Sequence, residues 1–325
     1  MAAEECAPAV AGGPWSGGVG RPVVIGTRRS QLALAQTALV RAALEAAHPG
    51  LRVEVELITT RGDLILDRPL SAVGGKGLFV AEIEQALRDG VIDLAVHSAK
   101  DLPSDLPPDM ALAAFPPRDD PRDALVSAGG RRLDDLPPGA VIGTSSLRRA
   151  CQIRALRPDL RVETLRGNVD TRLRKLREGG YDAIMLAAAG LARLGLGDVV
   201  TELLAPARML PAATQGILAI ECRADDTATA ALLAPLDDAA ARTAALAERG
   251  FLARIGGGCH APLAAYARID GGDLLVEGLI GAADGRLVRG VRRGPTDAPA
   301  ALGAALAEEL LDAGGAALLD ADGGG

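Results

Sequence analysis

A chain of 325 residues is longer than one hydrophobic core ordinarily organises, so two or three domains are expected. Hydrophobic residues at 49% and charged residues at 24% exclude a disordered polymer, and no apolar run approaches the roughly 20 residues of a membrane-spanning helix. A net charge of −7 argues against general nucleic-acid binding, and aromatics at 2% leave few rings on which bases could stack.

Residues 1–20 are rich in Ala, Gly and Pro, lack the basic-then-apolar order of a secretion signal and carry Glu4 and Glu5, unlike a transit peptide. They read as a disordered tail on a cytoplasmic protein. Cys6, Cys151, Cys222 and Cys259 are scattered without CxxC spacing, so reduced thiols and no metal site are expected.

Val23-Val24-Ile25 is a short apolar run ending at Gly26-Thr27, and Ser30 can cap a helix over 31–47 that stops before Pro49-Gly50. The alternation in 52–57 predicts a half-buried strand. A loop containing Gly74-Gly75-Lys76-Gly77 follows, then a helix over 79–89 and a strand over 93–96. Strands alternating with helices favour a parallel sheet.

The same order then recurs. Val141-Ile142-Gly143-Thr144 repeats Val24-Ile25-Gly26-Thr27, residues 158–163 repeat 49–54, and Asp182-Ala183-Ile184-Met185 stands where Asp93-Leu94-Ala95-Val96 stood. Three matches in one order point to two domains of one topology, with the Pro-rich stretch 103–121 as the hinge. Beyond Asp237 the pattern changes to a helix over 237–254, a glycine loop, strands over 263–269, 274–280 and 286–292 separated by hairpin turns, and a last helix over 299–313 ending at Gly314-Gly315. The fold class is therefore α/β: two similar α/β domains plus a small C-terminal α+β domain with a three-stranded antiparallel sheet.

Ligands of open α/β sheets sit beyond the carboxyl ends of the strands. The loops there are Thr27-Arg28-Arg29-Ser30, His97-Ser98-Ala99-Lys100-Asp101, Thr144-Ser145-Ser146-Leu147-Arg148-Arg149 and Arg166 to Arg172. Nearly all offer a cation, a hydroxyl or both. Between Ser145 and Arg193, eleven Lys and Arg face five Asp and Glu, a local +6 in an acidic protein. Helix N-termini and guanidinium forks both suit carboxylates. Arg148 or Arg149 taken singly reads as part of a solvated helix face, a reading that weakens when several strand-end loops share the character.

Asp101, beside Lys100, could stabilise a cation or shuttle a proton, or could be a surface loop residue. Gly74-Gly75-Lys76-Gly77 lacks the spacing of a phosphate loop and reads as a lid whose Lys76 could meet an anion. Cys259, after three glycines and next to His260, is either an inert thiol or an accessible nucleophile. His48 reads as the end of a helix, and His97 as support for its loop.

Taken together these segments resemble one family, hydroxymethylbilane synthase, also called porphobilinogen deaminase. They are Gly26 to Ser30, Thr60 to Asp63, Val73 to Phe79, His97 to Asp101, Gly143 to Arg149, Arg166 to Arg172 and Gly257-Gly258-Cys259. The resemblance runs from about Arg21 to the last helix. It implies two periplasmic-binding-protein-like α/β domains, domain 1 over 21–116 with 217–234 and domain 2 over 117–216, and domain 3 over 235–325. The implied activity is the head-to-tail condensation of four porphobilinogen molecules with loss of ammonia, then hydrolytic release of linear hydroxymethylbilane, a step of tetrapyrrole, porphyrin and heme biosynthesis.

The resemblance also implies a dipyrromethane cofactor held by a thioether at Cys259, with Asp101 as the catalytic carboxylate. By the same match Lys100, Ser98, Thr144, Ser145, Ser146, Arg148, Arg149 and Arg172 contact the cofactor, and Arg28, Ser30, Arg166, Arg193, Gln215, Phe79 and Lys76 contact substrate or the growing chain. A cytoplasmic monomer with porphobilinogen as its partner, and neither nucleic acid nor membrane, is expected. Ala72 and Gly256 depart from the family pattern, where Lys and an acidic residue are common. A two-lobed anion receptor without catalysis is the rival reading, but it leaves Cys259 and the third domain without a role.

Overall fold

The computed structural model describes residues 21–60, 80–256 and 261–323. The tail 1–20, the segment with Lys76 and Phe79, and the loop with Cys259 and His260 lie outside the described residues.

Strand β1 (Val23–Thr27) leads into α1 (Gln31–Ala47), whose first turn is capped by Ser30 Oγ accepting from the Ala33 amide at 3.2 Å. His48 ends that helix, as expected, and its Nε2 lies 2.8 Å from the Leu232 carbonyl. Then come β2 (Val53–Leu57), α2 (Ala81–Arg88), β3 (Leu94–Ser98) and β4 (Met110–Ala114). The second unit contains β5 (Asp123–Ser127), β6 (Val141–Gly143), α3 (Leu147–Leu156), β7 (Arg161–Glu163), α4 (Val169–Arg177), β8 (Ala183–Ala187), α5 (Ala188–Arg193) and β9 (Glu202–Leu204). The chain then returns to the first sheet as β10 (Leu218–Arg223) and continues into α6 (Thr227–Leu233).

The two sheets have the same plan, in the orders β2-β1-β3-β10-β4 and β7-β6-β8-β5-β9. In each, three adjacent strands pair in parallel, as the sequence order predicts, and a single strand, β10 or β5, runs against them and separates them from an edge strand, β4 or β9, of their own direction, so both sheets are mixed. The strand β4 also lies inside the stretch read as a hinge. Its sequence, Met-Ala-Leu-Ala-Ala, carries no β-branched residue, and pairing with β10 rather than local propensity makes it a strand.

The repeat is physical as well as textual. Asp93 and Asp182, matched by sequence, each accept the amide of the neighbouring strand, from Val24 at 2.9 Å and from Val141 at 2.7 Å. Val23, Ile25, Leu94, Val96 and Ile220 fill the first core with Val40 and Leu44 of α1. Ile142, Met185, Leu125 and Ile153 fill the corresponding core of the second sheet.

Helix α7 (Ala239–Ile255), capped by Asp238, opens the third unit. Its sheet is antiparallel, β11 (Leu263–Asp270), β12 (Asp273–Gly281) and β13 (Leu287–Gly294), as read from the hairpin signals. Phe251, Leu274, Val276 and Leu306 form its core, which also takes in Phe115 and Ala213 from the segments joining the sheets. The helical run that begins with α8 (Pro299–Leu310) breaks at Gly314, as the glycine pair suggested, but it is not the last helix. Gly314 takes a φ of 108° and turns the chain into α9 (Ala316–Gly323), where Leu318 packs at 8% exposure.

Candidate active site

The four loops singled out in the sequence all follow the carboxyl ends of parallel strands: β1, β3, β6 and β7. Their helices begin with side-chain caps, Ser30 for α1, Ser146 for α3 and Asn168 for α4. Thr144 is buried and its hydroxyl accepts the Ser146 amide at 3.1 Å, which fixes the turn that leaves Ser145 exposed.

Arg148 and Arg149 do not lie on a solvated helix face. They are 5% and 6% exposed, and both converge on Asp123, the first residue of β5, which is fully buried. Arg148 donates to the two oxygens of Asp123 at 2.6 and 3.1 Å, and Arg149 Nε donates at 2.9 Å. Carbonyls complete the forks: Leu210 accepts from Arg148 at 2.7 Å, and Met185 from Arg149 at 2.9 Å. Burial would push the Asp123 carboxyl up, but Arg148, Arg149 and the donated bonds hold it well below the usual carboxylate range.

Gln215 is buried in the return segment between the sheets. Its amide donates to Asp123 at 3.1 Å and to the Pro121 carbonyl at 2.7 Å, while its oxygen accepts from Lys100 at 3.3 Å. Lys100 and Asp101 form the short turn Ala99–Asp101 after β3, so this amide joins the strand ends of one sheet to those of the other. Burial lowers the Lys100 ammonium to about 8, with Asp101 and Asp123 opposing the fall and Arg149 and Arg148 adding to it. Burial, then Arg149, lowers Arg172 to about 10, and Asp101 again opposes. Asp101, itself exposed, thus faces a group of cations drawn from both sheets.

Arg172 is held by a bond from its Nε to the Gly167 carbonyl at 2.7 Å, and the Arg166 carbonyl accepts from Lys175 at 3.2 Å. On the other side of Asp101 a small cavity is bounded by Arg28, Ser30, Gln36, His97 and Ser98. Gln36 donates to Ser98 Oγ at 2.7 Å, and His97 supports this wall through a 2.9 Å contact with buried Glu221.

Arg193 occupies a different place from the other predicted cations. It donates to Asp119 and to the Gly216 carbonyl, each at 2.8 Å, where the two connecting segments run side by side. Asp123, Gln36 and Asp119 escaped the sequence reading. Asp123 stands two residues beyond the stretch read as a hinge, and nothing local marks a carboxylate whose partners lie 25 and 92 residues away. Phe79, Lys76 and Cys259 lie outside the described residues.

A family model described as porphobilinogen deaminase, dipyromethane cofactor binding domain, matches residues 23–231, and the C-terminal domain of the same family matches 242–312. A porphobilinogen deaminase of Roseiflexus castenholzii is 68% identical over 297 residues, covering 91% of this chain and 98% of its own length. Another, from a Roseiflexus sp., is 66% identical over the same shares. Among solved structures, the periplasmic aliphatic sulphonate binding protein SsuA of Escherichia coli is similar with a TM-score of 0.37 and 14% identity, covering 72% of this chain and 70% of that one. A ligand-binding component of an ABC-type import system from Staphylococcus aureus reaches a TM-score of 0.38 at 12% identity, covering 71% and 73%. The chain belongs to the porphobilinogen deaminase family.

Proposed function

We propose that this chain is a hydroxymethylbilane synthase, a transferase of tetrapyrrole biosynthesis that joins four porphobilinogen molecules head to tail, releases ammonia at each addition and frees the linear product by hydrolysis. The observation that supports this reading best is one exposed carboxylate, Asp101, that acts on the charges of Lys100 and Arg172, one cation from each sheet. A substrate that carries carboxylates and develops positive charge on its ring nitrogen needs both signs within one cleft.

The cations suit the dipyrromethane cofactor of the family. Its carboxylates would meet Lys100, Arg148, Arg149 and Arg172, with Ser98, Thr144, Ser145 and Ser146 as polar contacts, and Cys259 would hold it by a thioether. That group supplies the pyrrole carbon on which the chain is built. Asp101 assists departure of the substrate amine and stabilises the positive charge of the reacting ring. Arg28, Ser30, Arg166, Arg193, Gln215, Phe79 and Lys76 serve the incoming substrate and the lengthening chain. Each ring adds two carboxylates, which gives a reason for a surplus of guanidinium groups.

The proposed domains are 21–116 with 217–234, 117–216 and 235–325. A cytoplasmic monomer is the proposed working form; the buried thiols of Cys151 and Cys222, neither of them in a disulfide, suit a reducing compartment. Among the described residues no helix is long and apolar enough to cross a membrane.

Incubation with porphobilinogen tests the assignment: ammonia and hydroxymethylbilane should appear together, and an inert purified protein refutes it. Intact mass tests the attachment. A two-pyrrole addition should be present in the wild type and absent from Cys259→Ser, and an unmodified yet active wild type rules the thioether out.

A further inference from the structure

We infer that Asp123 is a positioning residue of this cleft: it fixes the aim of Arg148, Arg149 and Gln215 on one side and, through the Gln215 amide, holds Lys100 from the other. The inference rests on the proposed assignment of these cations to the carboxylates of cofactor and substrate.

The charge balance around Asp123 is not that of a structural ion pair. One fully buried carboxylate takes two buried guanidinium groups, and Lys100 lies close enough for its ammonium to feel all three. Burying an excess of cations is costly, and a fold gains nothing from it unless an anion arrives to balance the charge. A second cost lies at Arg148 Nε, a donor buried without a hydrogen-bond partner among the described residues. The other guanidinium nitrogens that are bonded reach Asp123 or the carbonyls of Leu210 and Met185, so the orientation of both forks is fixed before any ligand binds.

The amide of Gln215 extends this arrangement across the cleft. An amide can turn over and exchange its oxygen and nitrogen, and its partners decide which way it lies. Here Asp123 and the Pro121 carbonyl both demand a donor, so the nitrogen must face them and the oxygen must face Lys100. Without the carboxylate at 123 that constraint weakens, and the ammonium loses both an acceptor of fixed direction and a nearby negative charge.

The test measures steady-state kinetics with porphobilinogen from below to above pH 8, together with unfolding transitions, for the wild type, Asp123→Asn and Gln215→Met. In the wild type KM should rise as Lys100 loses its proton through about pH 8. Asp123→Asn should raise KM at neutral pH by about tenfold or more, as loss of binding shared by ground and transition states does. It should also move the alkaline rise to lower pH, because the carboxylate that favours charged Lys100 is gone. Asp123→Asn leaves two buried guanidinium groups without their counter-ion and can fail to fold. Gln215→Met keeps Asp123 paired with both guanidinium groups, and it should shift the alkaline rise while still unfolding in one cooperative transition.

A purely structural Asp123 would lower stability and leave KM and its pH profile in place, and that result overturns the inference. So does an unmoved profile in Gln215→Met, whether or not Asp123→Asn folds. A wild type that does not convert porphobilinogen refutes the functional assignment itself, and the inference with it.

Discussion

Arg118 Nη1 donates to Glu248 Oε1 at 2.5 Å, and this pair fastens the first segment between the two large sheets to helix α7 of the third unit. Glu248 is fully buried and also accepts the amides of Thr214, in the return segment, and of Ala267, in β11, the latter at 2.7 Å. The Tyr266 ring lies 4.9 Å from the Arg118 guanidinium. One carboxylate thus gathers both connecting segments and a strand of the third sheet.

Removing that carboxylate leaves a guanidinium without its counter-ion and two amides without their acceptor. Glu248→Ala should therefore cost about 3–5 kcal/mol, the range for breaking a buried pair. Urea unfolding measures it. The control is Glu163→Ala, which removes the partner of Arg161 from an exposed pair, 66% and 49% accessible, and should cost less than about 1 kcal/mol. Similar losses at the two positions would refute this account of Glu248.

The backbone where the segments meet makes a second demand. Gly216 has a φ of 90°, and a Cβ there would lie 2.5 Å from the Asp119 carbonyl oxygen. Its own carbonyl accepts from the Asp119 amide at 3.1 Å and from Arg193. Gly216→Ala should lower stability by about 1–3 kcal/mol, because strained φ and a backbone clash coincide. Gly179→Ala, at a φ of 82° with open space around it, carries only the conformational part and should cost less. Thermal unfolding of the two variants side by side checks the order.

How much of this could be read in the sequence depends on the range of the interactions involved. Ser30 capping α1, the alternation in β2 and the turns between β11, β12 and β13 are local, and they stand where the pattern put them. The repeat was legible because Gly26-Thr27 and Gly143-Thr144 end equivalent strands. Strands β4, β5 and β10 were missed because their identity comes from pairing across the sheet. Asp123 was missed for the same reason, and the buried state of Arg148 and Arg149 could not be seen without it. Charge counting located the cleft, but it could not separate a guanidinium locked on a carboxylate from one presented to a ligand.

That separation gives a testable contrast between two arginines of the same cleft. Arg148 neutralises buried Asp123, so Arg148→Met should destabilise the protein by several kcal/mol, about 3–5, as well as weaken binding. Arg172 is bonded to a carbonyl, and both burial and its cationic neighbours disfavour its charge. Arg172→Met should leave stability unchanged or slightly higher while raising KM about tenfold or more. Denaturation and kinetics on both variants decide the matter, and an equal loss of stability would show that the two arginines do not differ in this way.

Lys100 ties stability and binding to pH in opposite directions. Its folded value of about 8 lies below the ordinary 10.5, so between those limits the unfolded chain binds the proton more strongly than the folded one. Stability contributed at this site therefore rises as pH climbs from 8 towards 10.5, while the ammonium that attracts carboxylates is lost over the start of the same interval. Lys100→Met should abolish both trends. Its KM should be higher than that of the wild type at pH 7 and flat through pH 8, and its unfolding midpoint should lose the upward drift above that pH. A variant that kept the wild-type alkaline rise in KM would move the titrating group elsewhere in the cleft.

Asp101 tests the chemistry apart from the fold. It is exposed at the end of its short turn, and the cations whose electrostatics it influences, Lys100 and Arg172, keep their own backbone or amide partners without it. Asp101→Ala should leave the unfolding midpoint within about 0.5 kcal/mol of the wild type, as for a surface substitution. Turnover should fall by about a hundredfold or more, the loss expected when a placed carboxylate no longer meets developing charge. Asp101→Asn keeps the shape and removes the charge, so it separates the two contributions. If charge is what matters, it should resemble the alanine variant in kcat. A near-normal kcat in Asp101→Asn would leave the carboxylate only a role in shape and hydrogen bonding, and would place the stabilisation of the reacting ring on another residue.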